Sequence, residues 1–275
     1  MSEAVMKSNT KQKKLRFKRA YFAFPYMLIN AVFVVVPLAI LIGRAFMRDG
    51  SFSFGNFIEF FTDSRLPATL GRSFLIAGLT AIFCLILAYP LAIILSNSKI
   101  NKTAILVLLF VLPMWINSLL RTYAIRSVFE LLRINGSYTR AVIAMVYDFF
   151  PFMLLPIYTV LVNMDRAYGE ASQDLGAGNL KTFLKVTLPL SVSGIMSGIL
   201  MVFIPALSTF AISDIVTEPK LFIFGKFIDE VFETSSESLH NLGAAYSFIF
   251  LAFILVTMLA ANKLTGKNET GAGVL

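Results

Sequence analysis

Two carboxylates in this chain occupy positions where they could hold a charged group inside or beside a long apolar run. Asp148 lies within one such run, and Asp214 ends another, just before a loop rich in acids. A carboxylate within a bilayer is costly, so we expect Asp148 to face a bundle interior, water or a basic partner. The acidic loop would attract a cation. The alternatives are a structural ion pair between Asp148 and an arginine of segment 121–140, and a purely topological origin for the acidic loop.

Other residues that could do chemistry are scarce. The chain has one cysteine, Cys84, and one histidine, His240, and no His, Cys, Asp and Glu residues have the spacing of metal ligands. It has neither a Gly-rich phosphate-binding loop ending in Gly-Lys-Ser/Thr nor a Gly-x-Ser-x-Gly sequence. We therefore expect no catalytic or metal site. If ATP drives the function, another chain binds it.

A polar stretch, Glu170–Pro189, lies between two strongly apolar parts of the chain. It begins with acids, contains Gly176 and Gly178, and ends in a basic half, which predicts two short helices joined by a turn. The second helix should have one apolar side, formed at helical spacing by Leu180, Phe183, Leu184 and Leu188. So structured a loop predicts the docking of a partner. The alternative is that these side chains pack on the chain's own spans.

Six apolar runs would position these residues. The chain of 275 residues is 57% hydrophobic, its mean hydropathy is +0.77, and about 20 apolar residues cross a bilayer core as a helix. We therefore predict an all-α polytopic membrane protein, a single domain whose six transmembrane helices lie near 21–43, 74–95, 103–120, 141–163, 190–213 and 242–261. Prolines in the third, fourth and fifth runs predict either kinks or the lining of a cavity.

The distribution of charge predicts the orientation of the chain. Residues 1–19 carry seven Lys and Arg against one acid, Glu3. The apolar run that follows is too long for a cleaved signal peptide, so we expect a retained span. The positive-inside rule then places both termini and the Glu170–Pro189 stretch in the cytoplasm. The predicted organisation is a basic tail at 1–19, a membrane domain at 20–262 with a cytoplasmic loop at 163–189, and a C-terminal tail at 263–275.

Phenylalanines cluster in the external stretch between the first two runs, at Phe52, Phe54, Phe57, Phe60 and Phe61. They predict a helix that lies on the membrane or packs against the spans, and contact with an external binding protein is the alternative. The net charge of +8 is concentrated on the cytoplasmic side of the predicted topology. We therefore expect a lipid bilayer around this chain and no nucleic-acid partner.

The Glu170–Pro189 stretch resembles the signature loop of the permease subunits of ABC importers. That loop reads Glu-Ala-Ala, three residues, Gly, nine residues, Ile-x-Leu-Pro, and this chain matches it with intact spacing at Glu170-Ala171-Ser172, Gly176, Val186 and Leu188-Pro189. Ser172 in place of Ala and Val186 in place of Ile are conservative departures. The resemblance implies the architecture of a type I ABC importer permease (MetI-like), with six transmembrane helices.

Three further segments are similar to the spermidine/putrescine permeases within that group. They are LPMWINSLLRTYA at 112–124, DFFPFMLLPIY at 148–158 and PALSTFAISDIV at 205–216. Overall, the resemblance covers roughly residues 20–262. It implies import of polyamines, while permeases for ferric iron, sulfate, thiamine or other small solutes share the same frame and are the alternatives.

The resemblance also implies partners. The subunit would form half of a translocation pathway with a homologous permease in a bacterial inner membrane, and it would receive substrate from an external binding protein. Two copies of a cytoplasmic ATPase would bind ATP and Mg, and this chain would bind no cofactor. The residues implied in coupling to the ATPase are Glu170, Ala171, Ser172, Gly176, Leu180, Phe183, Leu184 and Pro189.

A polyamine carries several positive charges separated by methylenes, so its path would need carboxylates and aromatic faces. The candidate residues on that path are Asp214, Phe210, Trp115, Tyr123 and Asp148. Asp214 is the first choice because it lies at the end of the fifth predicted span. Its alternative role is a structural pair with Lys220.

Two other classes of function fit the sequence less well. A secondary transporter driven by an ion gradient would leave the signature loop unexplained, and we find no inverted repeat. A membrane-embedded enzyme or an assembly factor is the other class, and the sequence contains no catalytic constellation.

Overall fold

The computed structural model describes residues 25–48, 50–97, 105–218, 220–234 and 236–272, and the predicted basic tail at 1–19 lies outside them. The described part is almost entirely helical, apart from a hairpin of strands β1 (Met47–Arg48) and β2 (Ser51–Phe52). Its helices are α1 (Pro25–Ala45), α2 (Gly55–Thr62), α3 (Arg65–Ser96), α4 (Ile105–Trp115), α5 (Ser118–Leu131), α6 (Ser137–Asn163), α7 (Ala167–Asp174), α8 (Asn179–Leu190), α9 (Val192–Ser208), α10 (Ala211–Val216), α11 (Phe224–Glu233) and α12 (Glu237–Ala272).

Four helical segments are long and apolar enough to cross a membrane, namely α1, α3, α6 and the part of α12 from Ser238 to Ala260. Two bent pairs, α4 with α5 and α8 with α9, reach that length only together, so the described part has up to six spans. The prediction of an all-α polytopic membrane protein is confirmed. The bounds of the second and sixth spans differ from those predicted, because α3 begins well before residue 74 and α12 continues beyond residue 262.

The predicted span 103–120 is not one straight helix. α4 ends at Trp115 in a 3₁₀ turn that contains Pro113, and α5 runs at 96° to it. Asn117 begins α5, because its side-chain oxygen accepts a hydrogen bond from the Leu119 backbone N–H at 2.9 Å. Proline cannot donate to the helical ladder and an asparagine N-cap starts a new helix, so these residues explain the break.

The predicted span 190–213 is interrupted at both ends. A 63° bend at Ser191 separates α8 from α9. α9 ends at Ser208, Thr209 is extended (φ −73°, ψ 129°), and α10 begins after Phe210. In contrast, the two prolines of the fourth predicted span lie inside the unbroken helix α6. The breaks therefore place polar groups at each end of α9.

Helices α3, α6 and α9 pack together as the centre of the molecule. Their buried residues include the small Ala77, Ala81 and Ala88 of α3 and the larger Met145 and Met153 of α6. Small residues let membrane helices approach closely, and the larger ones fill the remaining space. At the edge of this core, α1 packs on α12.

The phenylalanines of the external stretch divide between the core and the surface. Phe60 of α2 is buried, with its ring centroid 6.0 Å from that of Phe224 and 5.7 Å from that of Tyr246. Phe52, Phe54 and Phe61 are exposed. The predicted packing of this stretch against the spans is therefore confirmed for Phe60.

Candidate functional site

The Glu170–Pro189 stretch forms the two short helices and the turn that the sequence predicts. α7 ends at Asp174, and Gly176 follows with φ +79°, a left-handed conformation that favours glycine. Gly178 then precedes α8 with an ordinary extended backbone (φ −69°, ψ 164°). The turn therefore needs the first glycine for its conformation and does not need the second.

Two side-chain hydrogen bonds hold α7 against α8. Ser172 Oγ and Thr182 Oγ1 are 3.1 Å apart, and Gln173 Nε2 donates to Asn179 Oδ1 at 3.3 Å. Ser172 stands where the signature pattern has an alanine. Its hydroxyl adds a contact between the two helices, so this departure from the pattern supports the geometry of the loop.

Three leucines of this loop are exposed, and two of them line one groove. Leu175, Leu180 and Leu184 are 89%, 72% and 51% exposed. Leu180 and Leu184 line an open groove of about 500 Å³, flanked by Lys181 and Lys185. We call Leu180 and Leu184 the leucine face. An apolar face beside a basic rim on a polar loop is typical of a surface that binds another protein.

Phe183 of α8 is packed on the core, unlike Leu180 and Leu184. It is half-buried, and its ring meets that of Tyr89 in α3 edge-on at a centroid distance of 5.8 Å. Among the predicted coupling residues, Phe183 therefore packs on the chain's own spans. The coupling residues that are exposed in addition to Leu180 and Leu184 are Glu170, Ala171, Gly176 and Pro189.

A buried hydroxyl pair ties the bend between α8 and α9 to α3. Tyr89 Oη and Ser191 Oγ are 2.7 Å apart, Ser191 is fully buried, and Tyr89 is 7% exposed. Because buried hydroxyls need a hydrogen-bond partner, this pair fixes the bend relative to the core. The sequence analysis missed both residues, since one tyrosine and one serine about a hundred positions apart carry no local signal.

Asp148 forms an ion pair with Arg121. The Arg121 Nη2 to Asp148 Oδ1 distance is 2.6 Å, and the two side chains are only 8% and 10% exposed. The structural ion pair that the sequence left open is therefore present. Arg121 Nε and Nη1 are buried and have no hydrogen-bond partner within the described residues. The hydrogen-bonding groups of this ion pair are therefore only partly used.

A cavity of about 320 Å³ lies beside Asp148. Its walls come from α5, α6 and the break between α9 and α10. Hydroxyl groups line it, from Ser118, Thr122, Ser208 and Thr209. A carboxylate surrounded by hydroxyls can accept hydrogen bonds from a cationic or neutral polar ligand. The prolines and breaks of this region therefore accompany a cavity, which was one of the two predicted outcomes.

Asp214 belongs to a cluster of charges beyond the end of α9. Lys220 Nζ lies 3.1 Å from Asp214 Oδ1, and Lys226 Nζ lies 4.0 Å from Asp214 Oδ2. Lys226 Nζ also donates to Asp229 Oδ2 at 3.3 Å and lies 5.6 Å from the centre of the Phe210 ring. The hydrogen bond to Asp229 and the attraction of Asp214 raise the pKa of Lys226. The pairing of Asp214 with Lys220, named as an alternative, is present.

The five predicted path residues do not form one compact site. Phe210 and Asp214 meet at the charge cluster, and Asp148 borders the neighbouring cavity. Trp115 and Tyr123 are 84% and 55% exposed on the surface of the bent pair α4 and α5. The sequence analysis missed Lys226 and Asp229, although a lysine three residues before an acid on a helix is a recognisable signal.

Within the described ranges, no three or more His, Cys, Asp and Glu side chains are grouped so that they could hold a metal ion. Cys84 is buried in α3, and the His240 ring lies 6.0 Å from that of Phe232.

Two sequence comparisons with known proteins agree with each other. Residues 21–267 match the family described as binding-protein-dependent transport system inner membrane component. The chain is 30% identical to the spermidine/putrescine transport system permease protein PotB of Haemophilus influenzae, over 86% of this chain and 91% of the relative. It is 28% identical to the PotB of Escherichia coli, over 86% of this chain and 95% of the relative.

A solved structure has a fold similar to that of this chain. The chain is similar to a chain of a bacterial ABC transporter involved in the import of the acidic polysaccharide alginate, with a TM-score of 0.69 and 13% identity. The match covers 92% of this chain and 96% of that chain. This likeness supports the predicted importer-permease architecture.

Proposed function

The chain belongs to the family of inner-membrane components of binding-protein-dependent transport systems, and from that premise we propose that it is a permease subunit of an ATP-driven importer of the polyamines spermidine and putrescine. The single observation that carries the proposal is the exposed leucine face on a loop that resembles the importer signature. The names of relatives that align with 86% of the chain support the substrate class.

In this proposal, the Glu170–Pro189 loop docks into a groove of a cytoplasmic ATPase. Burial of the leucine face would supply about 25 cal/mol for each Å² of apolar surface removed from water. Glu170 would meet basic or amide groups of the ATPase. Two copies of the ATPase would bind ATP and Mg, and this chain would bind no cofactor and catalyse no hydrolysis.

Closure of the ATPases would move the loop, and the loop would move the spans. The contact of Phe183 with Tyr89 and the bond between Tyr89 and Ser191 connect α8 to α3 at the bend. Tilting of these helices would shift the population between inward-open and outward-open packings. ATP and the loaded external binding protein would bias that equilibrium.

The complete transporter would contain a second, homologous permease, two ATPases and an external substrate-binding protein. Both termini and the Glu170–Pro189 loop would face the cytoplasm of a bacterial cell, in line with the basic residues 1–19. Residues 20–262 would form the membrane domain, with the cytoplasmic loop at 163–189. Each permease would supply half of the pathway.

The path of the polyamine would pass the acids and aromatic rings near the end of α9. Asp214 and Phe210 offer a carboxylate and a ring face, and Asp148 borders a cavity lined by hydroxyls. Trp115 and Tyr123 would add aromatic surface on the exposed side of the bent pair. The Asp214→Asn variant keeps the shape and removes the charge, so it should lower polyamine uptake.

Uptake of labelled spermidine by the complete complex in proteoliposomes tests the proposal. ATP is supplied on the loop side, and putrescine, ferric iron, sulfate or thiamine is added in excess as a competitor. We expect ATP-dependent uptake that putrescine inhibits and the other solutes leave unchanged. Uptake driven by an ion gradient without ATP would contradict the coupling, and inhibition by one of the other solutes would contradict the substrate class.

A further inference from the structure

Lys226 is a lysine whose ammonium group is held on three sides. Asp229 Oδ2 accepts a hydrogen bond from its Nζ at 3.3 Å, and Asp214 Oδ2 lies 4.0 Å from the same atom. The Phe210 ring forms the third side, with its centre 5.6 Å from Nζ. The Lys226 side chain is 16% exposed, whereas that of Lys220, which also pairs with Asp214, is 65% exposed.

The backbone around Lys226 is fixed by close contacts. A Cβ atom on Gly225 would lie 2.6 Å from the Ser208 carbonyl oxygen, so only glycine lets α11 approach the end of α9 this closely. The Phe224 backbone N–H donates to Ser73 Oγ of α3 at 2.8 Å. Lys226 follows directly in the first turn of α11. These backbone contacts therefore fix the position of Lys226 at the end of α9.

The groups around Lys226 are those that recognise a primary alkylammonium ion. A carboxylate accepts a charge-assisted hydrogen bond, a second carboxylate adds attraction, and an aromatic face stabilises a cation. A cavity of about 350 Å³ adjoins them, and Asp229 lines it together with Phe210, Ile228, Phe232 and Phe250. Its apolar walls would suit a methylene chain that ends in an ammonium group.

We propose that Asp214, Asp229 and Phe210 form a subsite for a primary ammonium group of the substrate, and that Lys226 is a resident cation which the substrate displaces. The proposal rests on the proposed function, because it requires a polyamine substrate. It goes beyond that function by naming the atoms that take one terminal ammonium. It also names the intramolecular competitor that this ammonium must replace.

When an ammonium group of the substrate replaces that of Lys226, a positive charge remains beside the two carboxylates. A neutral or anionic solute cannot displace Lys226 without removing the lysine partner of Asp229, although Asp214 keeps its pair with Lys220, so the resident cation contributes to selectivity for cations. It also weakens the binding of the correct substrate, because the ammonium of Lys226 is always present at the site. Removal of that ammonium should therefore increase the apparent affinity for polyamines.

The test compares two lysine variants with the same change in net charge, Lys226→Met and Lys220→Met. Initial rates of spermidine uptake are measured with the complete complex in proteoliposomes. We expect the KM of Lys226→Met to fall roughly three- to ten-fold, the range set by a cation–π contact and one exchanged ion pair. The KM of Lys220→Met should change less than two-fold, and Lys226→Arg should keep the wild-type value or raise it.

A chemical rescue protects the test against a variant that merely misfolds. Lys226→Cys is made in a Cys84→Ala chain, because Cys84 is the only native cysteine. Modification with aminoethyl methanethiosulfonate restores an ammonium, whereas the hydroxyethyl reagent adds a neutral group of similar size. The KM should be low after the neutral reagent and should return toward the wild-type value after the cationic one, with the extent of labelling measured by mass spectrometry.

The outcomes separate this proposal from the proposed function. Equal KM values for Lys226→Met and Lys220→Met, or the same KM after both reagents, would overturn the resident-cation proposal while wild-type uptake of spermidine continues. If the wild-type complex takes up no polyamine, the proposed function itself fails. A low KM confined to the variants that lack the ammonium at position 226 supports the proposal.

Discussion

The two ends of α9 differ in whether their side chains have partners within the chain. At one end, the leucine face of the Glu170–Pro189 loop is exposed. At the other end, Asp214 and Asp229 are paired with lysines. An exposed apolar face is stabilised when a second protein covers it, whereas paired charges take a charged ligand only by exchanging partners. The comparison assigns protein docking to the loop and exchange of a ligand to the far end, about 25 Å away along α9.

The largest expected effect comes from Gly176, which has φ +79°. A side chain in this left-handed conformation costs about 1–2 kcal/mol for most residues and less for aspartate, but Gly176→Asp also adds a negative charge to the proposed docking surface. We expect Gly176→Asp to abolish polyamine uptake while the chain still reaches the membrane. Glu170→Lys, which reverses a charge on the same surface, should do the same.

Gly178→Ala is a control for the backbone conformation of Gly176. Gly178 has an ordinary backbone conformation, and no atom lies within 4 Å of a Cβ atom placed there. Its uptake should stay close to that of the wild type. Normal stimulation of ATP hydrolysis by substrate in the Gly176→Asp complex would contradict the coupling role of the loop.

The buried pair Arg121–Asp148 should dominate the stability of the end opposite the loop. Removal of one partner leaves an uncompensated buried charge, so Asp148→Asn or Arg121→Met should lower the free energy of unfolding by about 3–5 kcal/mol. Lys220→Met, at an exposed pair, should cost at most about 1 kcal/mol. Thermal unfolding in detergent measures both effects. Equal effects would mean that the buried pair is no more important than a surface one.

Leu180 and Phe183 are three residues apart in α8, but the first is exposed and the second contacts Tyr89 of α3, so they sharpen the comparison within the loop. Leu180→Ser should change the stability of the isolated chain by less than about 0.5 kcal/mol, because this leucine is exposed. It should weaken binding of the ATPase about ten-fold, as expected for an apolar anchor at an interface. Phe183→Ala should instead destabilise the isolated chain. Co-purification with the ATPase and thermal unfolding distinguish these outcomes, and the reverse pattern would refute the roles assigned to the two side chains.

The smallest expected effect concerns the hydroxyl pair at the bend. Tyr89→Phe removes the bond to Ser191 and should cost about 1 kcal/mol of stability. If the pair transmits the movement of the loop, the number of polyamines taken up per ATP hydrolysed should fall as well. Ser191→Ala should have the same effect, and the double variant should be no worse than either single one. Additive losses would show that the two residues act independently.

The features that were predicted best are those that depend on residues close together in the sequence. The helix–turn–helix of the loop follows from Gly176 and from the spacing of Leu180 and Leu184, all within a few residues. The apolar runs predicted the membrane helices in the same way. Pro113 predicted a kink in the third run, but the separate helix that begins at Asn117 was missed, because a continuous apolar run was given more weight than its capping chemistry.

The parts that could not be predicted depend on residues distant in sequence. Tyr89 and Ser191 meet only after α3 and α9 have packed. The enclosure of Lys226 requires Phe210 and Asp214 from the end of α9 and from α10. A sequence carries no periodic signal for such contacts, so Asp214 was identified as a candidate while its relation to Lys226 was not.

The central claim is that the leucine face docks onto an ATPase, and a crosslink from position 180 tests it most directly. Leu180→Cys in a Cys84→Ala chain is treated with bifunctional reagents of several lengths in membranes that contain the complete complex. Phe33→Cys, an exposed apolar position in α1 that should face lipid, is the control. We predict a covalent adduct with the ATPase from position 180 at short linker lengths and none from position 33. Failure of position 180 at every length, in a complex that still hydrolyses ATP, would contradict the claim.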